Sequence, residues 1–177
     1  MQRRLALVFL LLGAALLCGC QSAETPVAEL VTDSIPASVT VDTPYAITVS
    51  VPQDAQNADE APFFGAERIY RPEDGRYEIE TKSILAESPG SAVHQISGYA
   101  AEELAVVETR RFSMPEYRFA WYAPDGADGW VCRADLFRDG ERYYCVICRV
   151  RESAGENCGQ LATEVFSTVG LFTDEGA

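Results

Sequence analysis

The chain has 177 residues and a mass of 19.4 kDa, which is room for one domain rather than two. Hydrophobic residues make up 47% and charged residues 23%, an ordinary globular composition that excludes wholesale disorder. Fourteen basic against 27 acidic side chains give a formal charge of −13, which argues against DNA or RNA as a partner, since nucleic-acid binders present a basic face.

Arg3 and Arg4 precede 13 consecutive residues, Leu5 to Leu17, drawn from Leu, Ala, Val, Phe and Gly. That run is too short to cross a hydrocarbon core of about 30 Å and fits the apolar region of a secretory signal peptide. It ends in Leu17-Cys18-Gly19-Cys20. This resembles the lipobox of bacterial lipoproteins, with Leu at −3, a small residue at −1 and the acceptor cysteine; Cys18 departs from the usual residue at −2 but is small. The resemblance implies that residues 1–19 are removed and that Cys20 carries a covalent diacylglycerol. Two or more acyl chains of the palmitate kind anchor stably where one is marginal. The alternatives are an ordinary cleaved signal or an uncleaved anchor. The expected location is the extracytoplasmic face of a bacterial cell membrane, in the cell envelope. Cleavage would leave 12 basic against 27 acidic side chains, a charge of −15. Such a domain should stand off an anionic surface on its tether.

Residues 20–42 hold Ser, Thr, Ala, Glu and two prolines without periodicity and are expected to be a flexible tether. The folded domain is expected over 43–172, followed by an acidic tail at 173–177. Tyr45 to Val51 alternates and is rich in β-branched residues, so it predicts a strand. Pro52 to Pro62 reads as a loop and Phe63 to Arg71 as a strand. Pro72-Glu-Asp-Gly75 is turn chemistry, and Arg76 to Ala86 returns antiparallel. Ser88-Pro89 predicts a helix start, with Val93 and Ile96 as its apolar stripe and Gly98 as its end. Leu104 to Phe112 and Glu116 to Ala123 predict two strands joined tightly around Ser113 to Pro115. Pro124 to Gly129 reads as a loop. Gly129 to Phe137 and Arg142 to Val150 predict a hairpin about Asp139-Gly140. A helical stripe follows at Cys158, Leu161, Ala162, Val165 and Val169, with Gly170 as its cap. Seven strands and two helices with short connections predict an α+β fold: a single antiparallel sheet of about six or seven strands flanked by helices.

Three stretches carry a further resemblance: Tyr45–Pro52; Glu116–Trp121 through Asp139-Gly140 to Tyr143-Tyr144; and Phe166–Phe172. Together they resemble the PsbP/Mog1-like fold. The resemblance implies an extracytoplasmic accessory or binding role of unknown function and no catalytic residues to carry over.

The residues themselves mark no catalytic or metal set. His94 is the one histidine and is expected on a solvated helix surface. Cys145-Val-Ile-Cys148 has redox or zinc spacing, but residues three apart on a strand face opposite ways. Disulfides suit the expected compartment better. Cys132, Cys145, Cys148 and Cys158 allow three pairings, and at least one bridge is expected; the alternative is four buried, inert thiols. Cys132 and Cys148 lie on adjacent hairpin strands, and Cys158 opens a helix. Asp125 and Asp128 have the flavour of a Ca²⁺ loop but lack the remaining ligands, so a solvated turn is expected. Tyr117, Phe119 and Trp121 share one strand face, and Arg118, Ala120 and Tyr122 the other. Trp121, Tyr122 and Trp130 are the candidates for an aromatic ligand cleft. The leading expectation is a non-catalytic binding or accessory domain with a protein partner. A ligand-sensing module and, last, an envelope hydrolase using a carboxylate pair are the alternatives. No cofactor beyond the lipid is expected.

Overall fold

The computed structural model describes residues 30–32, 45–58 and 68–173. The signal segment, the lipobox with Cys20, Phe63 to Glu67 of the second expected strand and most of the acidic tail lie outside them.

The centre is a seven-stranded antiparallel sheet. Its strands are β4 (Gln56–Asn57), β5 (Arg68–Arg71), β6 (Tyr77–Leu85), β7 (Val107–Arg111), β8 (Met114–Asp125), β9 (Asp128–Asp139) and β10 (Arg142–Arg151). Their spatial order is β4-β5-β6-β10-β9-β8-β7. Strand β10 lies in the middle, and Tyr143 to Cys148 are fully buried. That explains its unbroken apolar run: a strand covered on both faces has no solvent side to alternate with.

Two helices cover opposite faces. Helix α1 (Pro89–Ser97) starts where expected: the Ser88 hydroxyl accepts from the Ser91 N–H at 3.1 Å, Pro89 occupies the first turn, and Gly98 ends it at φ 79°. Its Ala92 and Val93 pack with Tyr117, Phe119, Trp121, Cys132, Ala134 and Leu136. Helix α2 (Cys158–Ser167) is capped by Asn157, whose side chain accepts from the N–H groups of Gly159 and Gln160. Its Ala162, Val165 and Phe166 pack with Ile79, Phe137, Tyr144 and Val146 on the other face. The result is the expected α+β architecture, a sheet between two covering layers.

The sheet is not assembled from the seven expected strands. Tyr45 to Val51 forms two pieces, β2 (Ala46–Thr48) and β3 (Ser50–Pro52), and neither joins the central sheet. Strand β2 pairs with β11 (Gly170–Phe172), and β3 pairs with β1 (Leu30–Thr32), which falls inside the expected tether. The break has a local cause. The Thr168 hydroxyl at the end of α2 accepts the Ser50 N–H at 2.9 Å, diverting the backbone between the two ladders. Ile47, Val49 and Val51 still pack into the α2-side core. Strand β4 takes the vacant place in the sheet, within the expected Pro52–Pro62 loop. Gly170 opens β11 rather than capping α2. Thr168 is the cap, and a side chain on Gly170 would meet the Thr48 hydroxyl at 2.8 Å.

Candidate functional site

Helix α2 is only 10 residues long and lies over β9 and β10. The same face of β7 and β8 has no helix above it among the described residues. A groove of about 520 Å³ opens there. Its floor carries Arg118 and Ala120 of β8 and Arg133 of β9, and its outer edge is Val107. The inner wall is one side of α2: Ala162, Thr163, Phe166 and Ser167. Register explains the floor. Val107 faces Arg118, Ala120 faces Arg133, and Tyr122 faces Val131, all on the α2 side of the pleat. Val107, Tyr122 and Val131 are exposed by 56%, 43% and 40%, so the cationic floor is flanked by open apolar surface.

The wall is held in place from below. The Arg111 guanidinium donates to the carbonyls of Phe166 at 2.6 Å, Val169 at 2.8 Å and Ser167 at 3.3 Å, satisfying the C-terminal end of α2. It also lies 4.7 Å over the Phe112 ring, and Phe112 packs against Phe137. This grip requires the turn between β7 and β8 to be Phe112-Ser113, with φ of 54° and 62°. Those are left-handed values that a two-residue turn usually reserves for Asn-Gly. The expected link at Ser113–Pro115 is therefore one residue late.

The floor is set by a charge cluster. Arg118 donates to Glu116 at 2.6 Å and to Asp135 at 3.1 Å, and the Thr109 hydroxyl donates to the same Glu116 carboxylate. Asp135 is fully buried, and its Oδ1 has no hydrogen-bond partner among the described residues. Burial pushes its carboxyl up to about 7, with Arg118 opposing and the Glu116 carboxylate adding to the rise. This is a buried, adjacent carboxylate pair of the kind a hydrolase would use. Neither member lines the groove, however, and both are engaged by Arg118. The arrangement orients a guanidinium toward the groove; it does not present an acid and a base to a substrate. Arg133 stands near the start of α2, and its guanidinium would lie 3.1 Å from a side chain on Gly159.

The three candidate aromatics do not meet in one cleft. Trp121 is buried with Phe119 beneath α1, their ring centroids 5.4 Å apart. Trp130 shares that face, stacked 3.9 Å beneath the Arg151 guanidinium. Tyr122 lies on the opposite face, beside the groove, donating to Glu152 at 2.9 Å while its ring covers Gly129. His94 is exposed on α1 and reaches the Tyr99 carbonyl at 3.3 Å. Asp125 accepts from Arg151 at 2.7 Å, and Asp128 accepts from the Ser153 hydroxyl at 2.7 Å. Among the described residues no three His, Cys, Asp or Glu side chains gather as a metal site, and no helix is long and apolar enough to cross a membrane. The four cysteines among the described residues, Cys132, Cys145, Cys148 and Cys158, are buried, and none lines the groove. Arg111, Arg118 and Arg133 are absent from the sequence-derived site. The alternation of β8 placed Arg118 on the face opposite Tyr117, Phe119 and Trp121 and did not mark it as a site residue, and the width of sheet left open by α2 has no local signature.

No family model matches the chain, and no curated protein matches it. Solved structures do. The solution structure of cyanobacterial PsbP (CyanoP) from Synechocystis sp. PCC 6803 aligns with a TM-score of 0.55 at 10% identity, covering 88% of this chain and 99% of that one. A crystal structure from Bacteroides thetaiotaomicron VPI-5482 aligns with a TM-score of 0.49 at 11% identity. It covers 72% of this chain, which in turn spans only 46% of that protein. At such identities likeness establishes architecture and not activity. The chain has a PsbP-like α+β fold.

Proposed function

We propose that this protein is a bacterial lipoprotein, anchored through Cys20 on the extracytoplasmic face of the cell membrane, whose PsbP-like domain is a non-catalytic binding or accessory module. The observation that carries the reading is the arginine-floored groove beside α2. Its volume is in the range of binding sites, it is partly apolar, and its two guanidiniums stand out on a strongly acidic chain. Arg118 is preorganised by two carboxylates, so engaging an anionic group there costs little rearrangement. The partner this surface fits is a protein segment that brings apolar side chains flanked by carboxylates. The lipobox supplies the location.

Two variants test the parts separately. Cys20→Ser should move the protein from the membrane pellet to the soluble extracytoplasmic fraction; unchanged retention refutes the lipid anchor. Arg118→Glu with Arg133→Glu should leave the protein anchored but free of the stoichiometric partner that accompanies the gently solubilised wild type. Wild-type protein that purifies alone refutes the accessory role.

A further inference from the structure

The register of the β9–β10 hairpin sorts the four thiols. Strand β10 puts Cys145 opposite Leu136 and Arg149 opposite Cys132. Cys132 and Cys145 therefore share the α1 face but stand four ladder positions apart, roughly 13 Å along the strands. A disulfide spans at most about 7 Å between Cα atoms, so these two do not pair. Cys148 packs on the α2 face with Cys158, and the sheet separates both from the other two thiols. That removes the pairs 132–148, 145–148, 132–158 and 145–158. Cys148 and Cys158 remain. They lie ten residues apart, on the last part of β10 and the first residue of α2. The Cys158 thiol lies over the β9–β10 ladder, 3.2 Å from the carbonyl oxygen of Val131 and 3.9 Å from that of Cys148.

We propose that Cys148 and Cys158 form a disulfide in the mature protein, stapling the start of α2, and hence the groove wall, to the sheet. The proposal rests on the extracytoplasmic reading for its oxidising compartment. The two thiols lose two protons and two electrons as the S–S bond forms. The electron pair reduces the disulfide of an envelope thiol oxidant to its dithiol. One cysteine attacks that disulfide to give a mixed disulfide, and the other displaces the oxidant's sulfur. In the folded chain both thiols are buried, and burial pushes the Cys158 thiol up to about 11. The bridge therefore forms before α2 closes on β10.

The test is non-reducing peptide mapping of the lipidated protein recovered from the envelope, denatured with a thiol-alkylating reagent present. The expected result is alkylated Cys132 and Cys145 and one crosslinked peptide pair joining Cys148 to Cys158. Four alkylated thiols, or a bridge that includes Cys132 or Cys145, overturn the proposal. If the protein is recovered from the cytoplasm, the location reading fails on its own account. The pairing is then read on the Cys20→Ser chain refolded in a glutathione redox buffer, where free thiols at both Cys148 and Cys158 overturn it equally.

Discussion

The most quantitative consequence of the structure concerns Asp135. Its carboxyl, ordinarily at 3.8, is pushed up to about 7 by burial, with Glu116 adding to the effect and Arg118 opposing it. Between those two values the native state holds a proton that the unfolded chain has released. Unfolding stability must therefore fall as pH rises through this window. With a folded value of about 7 against the ordinary 3.8, the loss between pH 5 and pH 8 is about 2–3 kcal/mol. The acids held below their ordinary range, such as Asp54 with its Tyr77 and Arg76 hydrogen bonds, and Glu80 beside Arg149 and Lys82, act in the opposite direction. They do so as pH falls below their ordinary values of 3.8 and 4.5, outside the window, and Cys158 acts well above it. Asp135→Asn keeps an oxygen for Arg118 and supplies an N–H for Glu116 without a titrating proton. Urea unfolding of wild type and variant at pH 5, 6, 7 and 8 reads the effect directly. The wild type should lose about 2–3 kcal/mol across the series, and the variant should stay nearly flat and be the more stable at pH 8. Parallel profiles for the two proteins would refute the assignment of the raised carboxyl to Asp135.

The Phe112-Ser113 turn gives a second expectation. Ser113→Gly relieves a left-handed residue and should stabilise the protein by about 0.5–1 kcal/mol in the same urea assay, whereas Phe112→Gly should destabilise it by losing the Phe137 contact. Arg111→Ala removes three charge-assisted hydrogen bonds to the end of α2 and should cost about 2 kcal/mol, with hydrogen exchange fastest in Val165 to Val169. Gly129→Ala would place a side chain 2.0 Å from the Tyr122 hydroxyl, so it should displace that ring and shift tyrosine fluorescence. An unchanged spectrum and midpoint would contradict the close packing of Tyr122 over Gly129.

Local chemistry made much of the fold legible. Ser88, Pro89 and Gly98 bracket α1, the alternation in Gly129–Phe137 reads the α1 face correctly, and Asp139-Gly140 marks the central hairpin, whose turn residues are Gly140 and Glu141. The sequence was silent wherever a distant contact decided the outcome. Tyr45 to Val51 has the pattern of one strand, and only Thr168, 118 positions from Ser50, turns it into two. Phe112-Ser113 carries no turn signal, because the grip of Arg111 on α2 rather than local preference holds it at positive φ. The candidate site illustrates the same division. Aromatic residues marked Trp121, Tyr122 and Trp130, but the two sides of the pleat separate them, with Trp121 in the core. The groove arises from where a short helix stops covering a wide sheet, and that depends on tertiary placement rather than on any residue run.

We propose that the groove beside α2 is the surface through which an envelope partner is engaged. The most direct measurement is photo-crosslinking in living cells from a photoreactive phenylalanine analogue placed at Ala120 on the groove floor, with His94 on the exposed side of α1 as the control position. One discrete crosslinked product is expected from Ala120, abolished by Arg133→Glu, and none from His94. A product from His94 with none from Ala120, or an Ala120 product indifferent to Arg133→Glu, would contradict it.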